Sequence, residues 1–168
     1  MSAWGMAEEA VKSGRKMVEK NGRQGGSMTG IIVTGHGSYA TGITSGLKLL
    51  AGEPEHYQAV DFLPEDSTDS LEEKLREAIR KLEECDKILI LADLVGGSPF
   101  NVSLRLKLSG EWDMEVIGGC NLPVVLDSYM ARIMEEDVNK LAASSAQVGR
   151  DQLVHYIPQE SDDDDYEE

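Results

Sequence analysis

The strongest constraint on the fold is a regular alternation of short apolar runs with helix-period segments between residues 30 and 157. Residues 30–34 (GIIVT) read as a buried strand, and 39–51 follow as a helix. Residues 57–62 form a second strand. The clearest helical stripe comes next, with Leu71, Leu75, Ile79 and Leu82 on one face and Glu, Lys and Arg opposite. Ser70 with Glu73 supplies a capping box for it. Residues 87–92 (KILILA) are continuously apolar after Lys87, as a central strand requires. Residues 98–108 read as a helix with Pro99 at its first position. A fourth strand is expected at 114–117, helices at 123–134 and 138–150, and a short last strand at 153–157. Strict β-α alternation predicts an α/β fold, an open and mostly parallel sheet with helices on both faces. No internal repeat is present.

The two ends differ from this body. Residues 1–27 carry a loose stripe (Met6, Ala10, Met17, Val18) and then a Gly-rich run, NGRQGGS. They read as a leader, either engineered or native, with Met28 the natural start of a domain spanning 28–158. Residues 159–168 are an acidic tail, expected to stay solvated and disordered. Of the net charge of −15, the tail holds −7 in residues 160–168 and the leader +2, leaving −10 to the body. Such a surface repels phosphate backbones, so nucleic acid is excluded as a partner. It suits encounter with a protein that presents a basic rim. Two cysteines, Cys85 and Cys120, make neither a disulfide framework nor metal-ligand spacing. With no apolar secretory stretch, they point to a reducing, cytoplasmic setting. The longest apolar run, 88–92, is far short of the roughly 20 residues a membrane helix needs.

In an open parallel sheet, ligands bind beyond the carboxyl ends of the strands. Three loops are expected there: Gly35-His36-Gly37-Ser38, Asp93 to Pro99 (DLVGGSP), and Gly118-Gly119-Cys120-Asn121. Flanked by glycines, His36 can be approached closely by another macromolecule and is the candidate nucleophile or general base; the plainer alternative is a turn histidine. Asp93 directly follows an apolar strand, where a carboxylate is costly unless paired. Paired with His36 Nδ1–H it would fix the tautomer and leave Nε2 free; alone it would be a capping residue. Gly96, Gly97 and Ser98 ahead of a helix suggest a phosphate cradle, with Ser98 as N-cap or hydroxyl donor. Cys120 reads as a packing thiol and Cys85 as core. Arg105 reads as part of a solvated face. His56 and His155 have surface or edge roles, and Trp4 and Trp112 carry no ligand reading.

The stretches GIIVTGHGSYATGITSGLKLLAG, ILADLVGGSPFN and EVIGGCNLPVVLDSYMAR together resemble the enzyme IIA component of the mannose family of the phosphoenolpyruvate-dependent sugar phosphotransferase system (PTS), from about residue 28 to 152. The resemblance implies a phosphotransferase working as a phosphoryl relay. A strand-end histidine accepts phosphate from the carrier protein HPr and passes it to the IIB component, which serves sugar uptake. By position His36 is the phosphorylated residue and Asp93 its orienting partner, with Gly96, Gly97 and Ser98 at the phosphoryl oxygens. The resemblance also implies no cofactor or metal, a homodimer with the 153–157 strand exchanged, and contact with the membrane IIC and IID components through IIB only. Two alternatives are a phosphoryl-donor subunit of a dihydroxyacetone kinase, whose loop lacks a GGSPFN pattern, and a non-catalytic anion-binding regulatory module.

Overall fold

The computed structural model describes residues 27–158. In chain order the elements are β1 (Thr29–His36), α1 (Tyr39–Ala51), β2 (Tyr57–Phe62), α2 (Thr68–Arg80), β3 (Lys87–Ala92), α3 (Ser98–Ser109), β4 (Met114–Gly118), α4 (Leu122–Ala131) and α5 (Val138–Asp151). The strands form a four-stranded sheet in the order β2-β1-β3-β4, and every strand pairing is parallel. The chain leaves β1 toward one edge and returns on its other side as β3. The crevice between the ends of β1 and β3 is therefore the topological switch point, where this architecture places its ligands.

Period-2 alternation divides the strand side chains between two cores. Ile31, Val33, Leu89 and Leu91 pack with Leu47 of α1, Val124 and Val125 of α4, and Leu141 of α5. Ile32, Ile88 and Ile90 face the other way, against Leu71, Leu75 and Ile79 of α2 and Val102 and Leu106 of α3. Both faces of the sheet are covered, which is why its central strands are apolar without interruption.

The helix starts show how each connection is fixed. Ser67 caps α2 by accepting from Ser70 N–H, and the Ser70 hydroxyl accepts from Ser67 N–H in return. The box thus lies three residues upstream of the expected Ser70–Glu73 pair, because the helix begins at Thr68 and its third position holds a serine that reaches back as glutamate usually does. Asn121 caps α4 through Val124 N–H, and Asp137 caps α5 through Asn139 and Lys140 N–H. In α3 the N-cap is Gly97 rather than Ser98, and it brings no side-chain bond. Ser98 opens that helix, with Pro99 behind it.

Two further differences from expectation matter. β1 continues to His36, so the histidine is the last residue of a strand and not a loop residue. Residues 153–158 form no strand in the single chain. Leu153, Val154, Tyr156 and Ile157 are 85%, 73%, 79% and 71% exposed, and no strand among the described residues pairs with them. The leader through residue 26 and the acidic tail lie outside the described residues. Among the described residues, no helix is long and apolar enough to cross a membrane.

Leu91 lies fully buried on the central strand β3, whereas Leu49 on α1 is 90% exposed. Leu91→Ala is expected to cost about 2–5 kcal/mol and Leu49→Ala less than about 0.5 kcal/mol in urea unfolding.

Candidate functional site

His36 ends β1, and Asp93 is the residue directly after β3. The β1–β3 ladder pairs Thr34 with Ala92 and runs one bond further, from Asp93 N–H to Thr34 O at 3.2 Å. This register brings together two residues that stand 57 positions apart. Asp93 Oδ2 accepts from the His36 backbone N–H at 2.8 Å and lies 2.8 Å from His36 Nδ1. A carboxylate can only accept, so Nδ1 carries the proton and Nε2 of the neutral ring keeps its lone pair. The other oxygen, Oδ1, is buried without a partner among the described residues. All of the carboxylate's side-chain pairing is therefore spent on His36. The carboxylate is 15% exposed and the imidazole 46%, so Asp93 is sheltered while the ring stays accessible.

The strand pleat decides which way the imidazole faces. Ile31, Val33 and Gly35 point toward α1; Ile32, Thr34 and His36 point toward α2 and α3. The ring consequently meets the start of α3, not the helix that immediately follows it. A Cβ at Gly97 would lie 2.8 Å from His36 Cε1 and 3.5 Å from Nε2, so only glycine lets the loop pass this close. Gly96 sets the loop's path with φ +81, a conformation side chains resist. Gly97 N–H is directed at Leu94 O, 3.1 Å away. Gly97 therefore supplies clearance, while the free donors of this helix start are the Ser98 and Phe100 N–H groups, Pro99 having none. The Phe62 ring, brought alongside by the His36–Phe62 register, meets the imidazole edge-on at 5.7 Å and 72°.

The opposite face is filled. At Gly35 a Cβ would run into the Tyr39 ring and lie 2.9 Å from Asp93 Cβ. Tyr39 Oη donates to Cys120 O at 2.6 Å, and Cys120 N–H donates to Ala92 O at 3.0 Å. The third strand-end loop thus backs Asp93, while His36 faces the second. Burial, with Cys120 and Asp93 nearby, holds the Tyr39 hydroxyl well above its usual range. Burial pushes the Cys120 thiol up to about 12, with the nearby Asp93 charge adding to the rise. A thiol held so far above neutrality is a poor nucleophile, in keeping with a packing role.

Other candidates fall away from the crevice. Arg105 bonds Glu72 at 3.1 Å on the outer face of α3, and Trp112 lies under the Arg76 guanidinium at 5.2 Å. His56 sits in the turn before β2, where its carbonyl accepts from Ile31 N–H. Cys85 is partly buried in the turn after α2. His155 falls in the exposed segment after α5. Among the described residues, no group of three or more His, Cys, Asp or Glu could hold a metal ion.

Residues 30–146 match the EIIA-man family, the PTS system fructose IIA component. The chain belongs to this family. It is 35% identical over 121 residues to the PTS system mannose-specific EIIAB component of Escherichia coli, covering 72% of this chain and 37% of that protein. The chain thus spans well under half the length of that relative. It is 28% identical to the PTS system fructose-specific EIIA component of Bacillus subtilis, over 71% of this chain and 84% of that one. The crystal structure of phosphotransferase system component EIIA from Streptococcus agalactiae superposes with a TM-score of 0.71 at 30% identity, covering 76% of this chain and 97% of that chain.

Within this EIIA-man domain the His36–Asp93 pair and the Gly96–Ser98 turn were legible from strand ends and glycines. Tyr39 and Phe62 were not, because their roles depend on pleat direction and register. The geometry makes two outcomes measurable by imidazole ¹⁵N NMR. Wild-type His36 should show Nδ1 protonated in the neutral ring, and Asp93→Asn should lose that preference. Gly97→Ala should leave the fold intact yet displace the His36 ring resonances.

Proposed function

We propose that this EIIA-man domain is a phosphoryl carrier of a sugar phosphotransferase system, accepting phosphate from phospho-HPr on His36 Nε2 and handing it to a IIB component. The observation that carries this reading is the division of labour on one ring: Nδ1–H faces Asp93 Oδ2 at 2.8 Å, while Nε2 faces the turn into α3. A lone pair beside an uncapped helix start suits attack on a phosphoryl group, whose oxygens the first-turn amides and the Ser98 hydroxyl can receive.

In the transfer, the Nε2 lone pair attacks phosphorus in line as the bond from phosphorus to the donor's imidazole nitrogen breaks. The donor ring departs with that electron pair. His36 keeps its Nδ1 proton and becomes a phosphorylated imidazolium, whose positive charge Asp93 faces directly. Passage to IIB is the same displacement in reverse, with His36 as leaving group. Positioning and charge stabilisation suffice for such a step, and no metal or organic cofactor enters it. Gly96 and Gly97 let the phosphoryl and its donor come close. The glycine-flanked histidine suits a partner protein better than a small regulatory anion, and the relatives are PTS components, which favours the carrier reading over the alternatives.

Two finer features belong to the same proposal. The apolar side chains of residues 153–157 are exposed in the single chain, and β4 is an edge strand; exchange of this segment between two copies would cover both in a homodimer. The domain works in the cytoplasm and meets the membrane IIC and IID components only through IIB.

Incubation with labelled phosphoenolpyruvate, enzyme I and HPr should place about one acid-labile phosphate on each chain. His36→Ala should take up none, and Asp93→Asn should transfer at least about tenfold more slowly through loss of a charged hydrogen bond. Uptake by His36→Ala equal to wild type would refute the carrier reading. In sedimentation, truncation after residue 152 should convert a dimer to a monomer.

A further inference from the structure

The turn between β3 and α3 contains a restraint that neither the strand-end pattern nor the family match assigns. Asn101 stands one turn into α3, and its side chain reaches back five residues: Nδ2–H donates to Gly96 O at 2.8 Å. Gly96 has the left-handed φ of +81 and bears no side chain, so nothing of its own limits rotation of the peptide that joins it to Gly97. That peptide lies beside the imidazole, as the 2.8 Å approach of a Gly97 Cβ to His36 Cε1 shows. Its N–H goes to Leu94 O at 3.1 Å and its carbonyl to Asn101, so both ends of the peptide dipole are fixed. Were the carbonyl free to swing toward Nε2, it would present a lone pair where phosphoryl oxygens must sit.

We propose that Asn101 is a positioning residue for phosphoryl transfer: by holding the Gly96 carbonyl to its own amide, it keeps that oxygen off the phosphoryl oxygens and leaves the first amides of α3 facing His36 Nε2. Asparagine suits the task because it donates and is neutral. Aspartate at the same position would set a carboxylate against the Gly96 carbonyl and add a negative charge beside the phosphoryl group. Asn101 is exposed and lies on the helix surface, so its removal leaves both cores intact.

The inference rests on the carrier reading, and the test separates the two. Phosphate transfer from phospho-HPr is timed for wild type, His36→Ala, Asn101→Ala and Asn101→Asp, alongside melting curves and amide ¹H–¹⁵N spectra. For Asn101→Ala, kcat should fall about fivefold to tenfold, as expected for loss of one hydrogen bond, and Asn101→Asp should be slower still. KM for phospho-HPr should stay within about twofold and the amide resonances of Gly96, Gly97 and Ser98 should move, while melting is little changed. Transfer by both Asn101 variants within about twofold of wild type would overturn the inference and leave the carrier reading standing. A slower rate wholly matched by a smaller folded fraction would overturn it too. Failure of wild type to accept phosphate would instead remove the reading on which it rests.

Discussion

One carboxylate oxygen joins the two strands on which the site depends. Asp93 Oδ2 receives both the backbone N–H and Nδ1 of His36, each at 2.8 Å, at the point where the chain's direction across the sheet reverses. Hydrogen bonds to a charged acceptor contribute about 1.5–3 kcal/mol each, and removing the acceptor leaves both His36 donors without it. The geometry tolerates little slippage. A one-residue shift of β1 against β3 would turn His36 to the other face and carry Asp93 out of reach. The ladder of apolar residues behind the pair, Ile31 to Thr34 against Leu89 to Ala92, therefore sets the chemistry as well as the core.

Sidedness follows from the same pleat. Two helices begin near the end of β1, and each N-terminus attracts negative charge. The first turn of α1 is already supplied: Asp61, on the Gly35 side of the sheet, accepts from Thr41 N–H at 3.0 Å and from Thr41 Oγ1–H at 2.7 Å. The start of α3 has only a glycine cap. His36 faces the second of these. An anion carried on Nε2, as proposed, would meet a helix end whose first donors are free, while the helix next in sequence is neutralised from the opposite face.

Much of this was legible in the residues because it rests on local rules. The run KILILA could only be a covered strand, and β3 has those bounds. A histidine and an aspartate placed at the carboxyl ends of parallel strands had to share one rim, whatever their separation in sequence. What escaped depended on partners rather than patterns. The capping box moved because Ser70 reached back to Ser67, a serine standing where glutamate is the usual choice. Tyr39 and Phe62 gained their places from pleat direction and cross-strand register, which no local window contains. Residues 153–157 are rich in the apolar and aromatic side chains of a strand, yet a strand needs a partner, and among the described residues none pairs with them.

The most direct measurement is the one-bond coupling between ³¹P and imidazole ¹⁵N in the phosphorylated, ¹⁵N-histidine-labelled protein. The locked Nδ1 predicts coupling of phosphorus to Nε2 of His36, with Nδ1 still protonated. Phosphorus coupled to Nδ1, or carried on any other residue, would contradict the assignment of Asp93 as the group that frees Nε2 for transfer.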